Sequence, residues 1–198
     1  MKKKLLIFVK NPEAGKVKTR IAKTMGAEAA LQAYHELLAH TENICTKTKS
    51  DRIVYYGAHV DENDIWHETY YGKKCQSGSD LGSRMSAAFK EELQDDNNVI
   101  LIGSDCGQLS TKILELAFKK LEKHDVVLGP TFDGGYYMIG MRTFIPELFQ
   151  DIAWSTEKVY PATLIKVLLA GKSFCELPML QDIDFEEDYL NWKKTKQV

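Results

Sequence analysis

Two continuous apolar runs, Leu5–Val9 and Val99–Ile102, restrict this chain more than any other feature of its sequence. Neither alternates apolar with polar residues. Each therefore reads as a strand covered on both faces, the environment of a mostly parallel sheet with helices above and below. Helical periodicity fills the spaces between them. From Ala27 to about Lys47, residues Leu31, Tyr34, Leu37, Leu38, Thr41, Ile44 and Cys45 share one helical face. Met85, Ala88, Phe89 and Leu93 make a second. Ile53–Tyr56 is a β-rich run stopped by Gly57, and Asp125–Leu128 reads as a strand followed by a loop and by Tyr136–Met141. Ser110 can cap a helix whose inner face is Ile113, Leu114, Ala117, Phe118 and Leu121. A helix near Thr156–Ala170, a short strand near Phe174 and a helix after Asp184 complete the alternation. For 198 residues without repeats or linker-like stretches, this predicts one domain, a three-layer α/β/α sandwich on a mostly parallel sheet.

Charge and cysteine usage narrow the function classes. A formal net charge of -2 leaves no general basic field, so neither nucleic acid nor a membrane surface is an expected partner. The basic start, Met1–Lys4, is followed only by Leu5–Val9, too short for a secretory core or a membrane span. Cys45, Cys75, Cys106 and Cys175 form no CxxC pair, as suits reduced thiols in the cytoplasm. His35, His40, His59, His67 and His124 lack metal-ligand spacing, and no serine sits in a G-x-S-x-G elbow. Trp66, Trp154 and Trp192 read as packing residues.

Sheets of this type bind ligands beyond the carboxyl ends of their strands, here the loops after Val9, Ile102 and Leu128. The first loop carries Lys10, Lys16, Lys18 and Arg20 around Gly15, yet matches neither a Walker A loop nor GxGxxG. A helix start disfavours each cation by about 0.3–1 kcal/mol, so a bound phosphate would explain them, as would a solvated basic face. Asp105 closes the second apolar run, where a carboxylate suits Mg²⁺ or Mn²⁺, although it could also cap a turn. Asp133-Gly134-Gly135 lies between β-like runs as a hairpin turn does, and its glycines would also let a ligand approach the backbone. Asp182-Ile183-Asp184 is the chain's one Asp-x-Asp. Asp184 with Glu187 resembles a capping box, which can coexist with metal binding through Asp182 or Asp184.

Several stretches together resemble a known family. They are KNPEAGKVKTR (Lys10–Arg20), DLGSRM (Asp80–Met85), IGSDC (Ile102–Cys106), GPTFDGGYYMIG (Gly129–Gly140), Trp154-Ser155-Thr156 and LPMLQDIDFEED (Leu177–Asp188). They resemble the glycosyltransferase-like family associated with arsenosugar and related small-molecule biosynthesis, nearly end to end. The resemblance implies the nucleotide-diphospho-sugar transferase, or glycosyltransferase A-type, fold. By the same resemblance Asp105 would be the metal-binding aspartate, with Asp184 as a second ligand and Asp182 nearby. Lys10, Gly15, Lys16, Lys18 and Arg20 would serve the nucleotide's phosphates, and Gln76 and Gly78 its base. Asp133, as catalytic base, would face a small-molecule acceptor together with Gly134, Gly135, Trp154, Ser155 and Thr156. One departure is Gly107, where the family usually has Pro, and a looser loop beside Asp105 is the expected result. The implied activity is metal-dependent glycosyl transfer from a nucleotide-sugar. More distantly, the first loop and the DID ending look like those of guanylyl- and cytidylyltransferases, which use a nucleoside triphosphate and release pyrophosphate. A non-catalytic nucleotide-binding protein is the third alternative.

Overall fold

The run Leu5–Val9 lies in β1 (Lys2–Val9), and Val99–Ile102 in its neighbour β4 (Asn97–Ile102), where every residue is buried. The computed structural model describes residues 1–93 and 97–196. With β2 (Asp51–Tyr56), β3 (Gly72–Cys75), β5 (Val126–Pro130), β6 (Tyr136–Met141) and β7 (Phe174–Glu176), these strands form one sheet in the order β3-β2-β1-β4-β6-β5-β7. All neighbours run parallel except β6, which is antiparallel to both β4 and β5. The fold expected from the sequence is the fold observed.

Period-two alternation within β1 separates the two cores. Leu5, Ile7 and Val9 pack with residues of α2 (Ala27–Thr46) and α4 (Thr111–Leu121), including Tyr34, Leu38, Leu114 and Phe118. Leu6 and Phe8 face the opposite layer, with Met85 and Phe89 of α3 (Leu81–Glu92) and Val167 of α5 (Val159–Leu169). A third cluster joins α1 (Thr19–Met25), α2 and α6 (Glu186–Thr195) through Ile21, Ala33, Leu37, Ile183, Tyr189 and Trp192.

Helix starts follow side-chain capping where the sequence offers it. Asp80 accepts the Ser83 N–H at 2.9 Å and Ser110 accepts that of Ile113 at 3.4 Å, fixing the first turns of α3 and α4. Two boundaries differ from expectation. The helix anticipated from Thr156 starts at Val159, because Thr156 Oγ1 bonds to the Ala153 carbonyl and holds a turn there. The box expected from Asp184 and Glu187 is displaced by one residue. Asp188 Oδ2 accepts the N–H groups of Phe185 at 2.9 Å and Asp184 at 3.2 Å, which leaves the Asp184 carboxylate free of capping duty.

Candidate active site

The carboxyl ends of β1, β4 and β5 converge, and buried polar side chains tie their loops together. Tyr34 of α2 accepts the Lys10 N–H at 2.8 Å and lies 3.2 Å from Ser104 Oγ, joining the loop after β1 to the loop after β4. Burial, reinforced by the negative charge of Asp105, pushes the Tyr34 hydroxyl's ionisation well above its usual range. Asn11 does the same toward β2, accepting the Ala58 N–H at 3.1 Å and donating to the His59 carbonyl at 2.8 Å. The loops are therefore preorganised by the scaffold.

Between them opens a cleft with two chambers. The first, about 570 Å³, is polar and includes Lys10, Lys16, Lys18, Arg20 and Asp133 in its walls. The second, about 430 Å³, is more apolar, with Phe8, Met85, Leu101 and Met138 among its walls and Arg84 beside them. The chambers share Lys10, Leu81, Asp105, Tyr136, Ser155 and Asp182. Asp105 thus stands where the two spaces meet.

Electrostatics of the polar chamber differ from what the cation-rich loop suggests. Lys18 Nζ lies 2.5 Å from Asp105 Oδ1, 3.9 Å from Asp184 Oδ1 and 2.7 Å from the Ile183 carbonyl oxygen. Its side chain is only 5% exposed, whereas the Asp105 and Asp184 side chains are 40% and 34% exposed, so a buried ammonium meets carboxylates that open onto the chamber. Arg20 Nη1 holds the other Asp184 oxygen at 2.5 Å and lies over the Phe185 ring. The cations of the α1 start are thus neutralised by the chain's own carboxylates. Lys16, by contrast, is largely exposed and pairs with Glu13 at 2.7 Å. Gly15 at φ 77° supplies the turn before Lys16 and has open space around it.

Asp182 is the odd member of the cluster. Its Oδ1 is buried without a hydrogen-bond partner. Burial, then the negative charge of Asp105, raises its carboxyl to about 7; Asp133 and Asp184 add to this and Lys18 opposes it. The donor set fits a hard divalent cation: Asp105 and Asp184 both reach one point, and Asp182 carries an unused oxygen. Such an ion often takes only one or two protein carboxylates and completes its shell from phosphates and water. Among the described residues no group of three or more His, Cys, Asp or Glu side chains is disposed to hold a metal alone.

The remaining anticipated residues fall into two groups. Asp133 lies at the hairpin between β5 and β6, its Oδ1 accepting from Thr131 Oγ1 at 2.5 Å and from the Gly135 N–H at 3.1 Å. Its other oxygen makes no hydrogen bond among the described residues, so turn and cleft duties coexist in one side chain. Gly134, at φ 86°, packs against the Glu157 backbone, and Gly135, Trp154, Ser155 and Thr156 line the polar chamber. Gln76 borders the apolar chamber, but its amide donates to the Val9 and Tyr55 carbonyls, and its Oε1 accepts from Arg84. Gly78, at φ 143°, lies against Ser83 and Arg84 at the start of α3 and lines neither chamber.

Gly107 gives a clear correction. The expected loosening does not occur, because Trp192 of α6 packs directly on it and donates Nε1–H to its carbonyl at 2.8 Å. A Cβ at this position would come within 2.5 Å of the indole nitrogen, so Gly here permits a locked loop. Sequence reasoning missed Trp192, Tyr34 and Arg84 as supports of the site. Trp192 and Tyr34 act on residues distant in the chain, whereas Arg84 holds the nearby Gln76 and Gly78 and lies within the DLGSRM stretch, where its role was not visible.

Similar proteins can now be set against this geometry. The family described as "Uncharacterized protein conserved in bacteria (DUF2064)" matches residues 40–156. A candidate nucleotide-diphospho-sugar transferase from Desulfovibrio desulfuricans G20 is 31% identical, with a TM-score of 0.85 over 93% of this chain and 84% of its own. The inositol-1-phosphate CTP transferase of T. maritima shares the fold at 11% identity, TM-score 0.65, over 99% and 97% of the two chains. A cytidylyltransferase from Leptospira borgpetersenii serovar Hardjo-bovis does so at 15% identity and TM-score 0.60, over 100% and 94%. No curated protein matches the sequence significantly. Nothing in these likenesses bears on arsenosugars in particular. On the family match and the 31% identity, this chain belongs to the bacterial family described as DUF2064 and carries the nucleotide-diphospho-sugar transferase fold.

Proposed function

We propose that this protein is a transferase that moves a glycosyl group from a nucleotide-diphospho-sugar to a hydroxyl of a small-molecule acceptor. The observation that carries this reading is the meeting of an apolar and a polar chamber at Asp105. A nucleoside fits the apolar space beside Met85 and Arg84, and its phosphates reach the polar one past Lys10. The likeness to the Desulfovibrio protein supports the same choice.

In this proposal Asp105 and Asp184 hold Mg²⁺ or Mn²⁺, with Asp182 adjoining. Such an ion supplies charge stabilisation for the departing diphosphate. The chain's own groups do the rest. Lys10 and Lys16 face the phosphate oxygens. The unbonded Asp133 oxygen accepts the proton of the acceptor hydroxyl as its oxygen bonds to the anomeric carbon and the bond from that carbon to the diphosphate breaks. Trp154, Ser155 and Thr156 form the acceptor wall. All four cysteines are free and no helix among the described residues is long and apolar enough to span a membrane, in keeping with a proposed cytoplasmic setting. Nucleic acid and membranes are not proposed as partners.

Nucleotidylyl transfer is the second reading, favoured by the fold likeness to the CTP transferase and the cytidylyltransferase. Against it, the first loop holds a single glycine, Gly15, and no glycine-rich run whose backbone N–H groups could cradle a triphosphate. The test is thermal shift of wild type and Asp105→Ala with UDP, GDP, CDP, dTDP and the matching triphosphates, with and without Mn²⁺. A ligand at 100 times its Kd stabilises by about 2.7 kcal/mol, roughly 5–10 °C for a chain of this size. A Mn²⁺-dependent diphosphate shift lost in Asp105→Ala supports glycosyl transfer. A triphosphate preference with pyrophosphate release selects the second reading, and no shift with any nucleotide overturns both.

A further inference from the structure

The point that Asp105 and Asp184 share already holds a cation belonging to the chain. Lys18 Nζ sits 2.5 Å from one carboxylate and 3.9 Å from the other, with the Ile183 carbonyl 2.7 Å away as a further acceptor. We propose that Lys18 is a placeholder cation: its ammonium keeps the carboxylate pair assembled in the nucleotide-free protein and gives way to the divalent ion when nucleotide phosphates arrive. The inference rests on the metal-nucleotide reading above and adds to it a coupling between the two ligands.

Four observations support an exchange over a permanent ion pair. An ammonium and a divalent ion cannot share the space between two carboxylates, since each fills it sterically and repels the other. Arg20 grips Asp184 by Oδ2, so Oδ1 stays aimed at the shared point after the ammonium leaves. The Asp182 Oδ1 beside this cluster is buried and unpartnered, an acceptor that the present hydrogen-bond set leaves unused. Finally, Lys18 itself has left-handed backbone angles, φ 46° and ψ 44°, costly for a residue other than glycine and here maintained by the surrounding contacts. Its ammonium borders the chamber shared by Lys10 and Lys16, so arriving phosphates offer it a new partner.

Exchange of this kind makes metal and nucleotide binding cooperative, and reciprocally so. The experiment measures Mn²⁺ binding by the electron paramagnetic resonance of free Mn²⁺, first with Mn²⁺ alone and then with UDP, GDP, CDP or dTDP. Wild type is compared with Lys18→Met, which keeps the buried stem, and with Lys18→Gly, which accepts positive φ if the methionine variant fails to fold. In wild type a nucleoside diphosphate should tighten Mn²⁺ binding by about tenfold or more. In the variants Mn²⁺ alone should bind about tenfold tighter than in wild type, and the added effect of nucleotide should shrink to what direct ligation by its phosphates supplies. Equal or weaker binding of Mn²⁺ alone by the variants, with coupling intact, overturns the placeholder role and leaves the metal site standing. Absence of Mn²⁺ binding in every protein with every nucleotide overturns both.

Discussion

Gly107→Ala measures how firmly α6 holds the loop that carries Asp105. Trp192 is 5% exposed and donates to the Gly107 carbonyl at 2.8 Å. An added Cβ would stand 2.5 Å from Nε1 and 2.7 Å from the nearest ring carbons. The indole has little room to turn away. His40 packs on it edge-to-face at 5.6 Å, Tyr189 is tilted against it at 6.3 Å, and the Lys196 ammonium lies 3.7 Å from its centroid. Overpacking costs about 1–3 kcal/mol and the weakened hydrogen bond about 1 kcal/mol, together about 2–4 kcal/mol. At about 2–4 °C per kcal/mol for a chain of this length, scanning calorimetry should record a Tm lower by roughly 5–15 °C. In a Trp192→Phe background the same substitution should cost less, with a coupling of about 1 kcal/mol. A single Gly107→Ala variant melting within about 1 °C of wild type would refute the claim that Trp192 locks this loop.

Other expectations follow from individual contacts. Gly82→Ala places a Cβ against the Trp154 indole, so transfer should slow by about tenfold or more while the nucleotide-induced thermal shift persists. Asp133→Asn can still fold the turn through its amide oxygen, but transfer should fall by about 10²–10⁴-fold at unchanged nucleotide binding. Glu92 is buried, with Lys4 at 2.8 Å, Lys74 also bonded to it, and the Tyr55 hydroxyl donating at 3.1 Å. Burial pulls its pKa up, yet the two lysines outweigh this and the net shift is downward. Its ionised form therefore stabilises the fold above the unfolded value of about 4.3, and that contribution is lost as pH falls through the folded pKa. Urea titrations of Glu92→Gln should show a loss of about 3 kcal/mol at pH 7 that shrinks as pH falls below the unfolded value and through the depressed folded one.

Much of this architecture was legible because burial on both faces writes continuous apolar runs, as in β1 and β4, and long amphipathic periods, as in α2. The edge strand β3 escaped notice: Gly72-Lys73-Lys74-Cys75 pairs on one side only and has no apolar run, its lysines pairing with Asp64, Glu91 and Glu92. The helix start after Gly15 was anticipated, but not the left-handed conformation of Lys18 that precedes α1, which no pattern announces. For the site, strand-end position singled out Asp105, the Asp-Gly turn Asp133, and the one Asp-x-Asp the Asp182–Asp184 segment. The partners of these residues could not be read. Asp105 meets Lys18 and Gly107 meets Trp192 across long stretches of chain, and such pairings depend on packing and not on local spacing.

The reversed direction of β6 has a consequence for how such a cleft diversifies. A parallel successor to β5 would need a crossover helix before its own end could contribute to the ligand side. Because β6 turns back at once, residues 131–135 form a short tip that places Asp133 in the wall of the chamber that Asp105 also lines, while both flanking strands stay locked in the sheet. Hairpin tips accept insertions and altered side chains with little strain on the strands that bear them. On the proposed reading, the acceptor side is thus a rim whose side chains can change while the strands beneath the nucleotide keep their geometry.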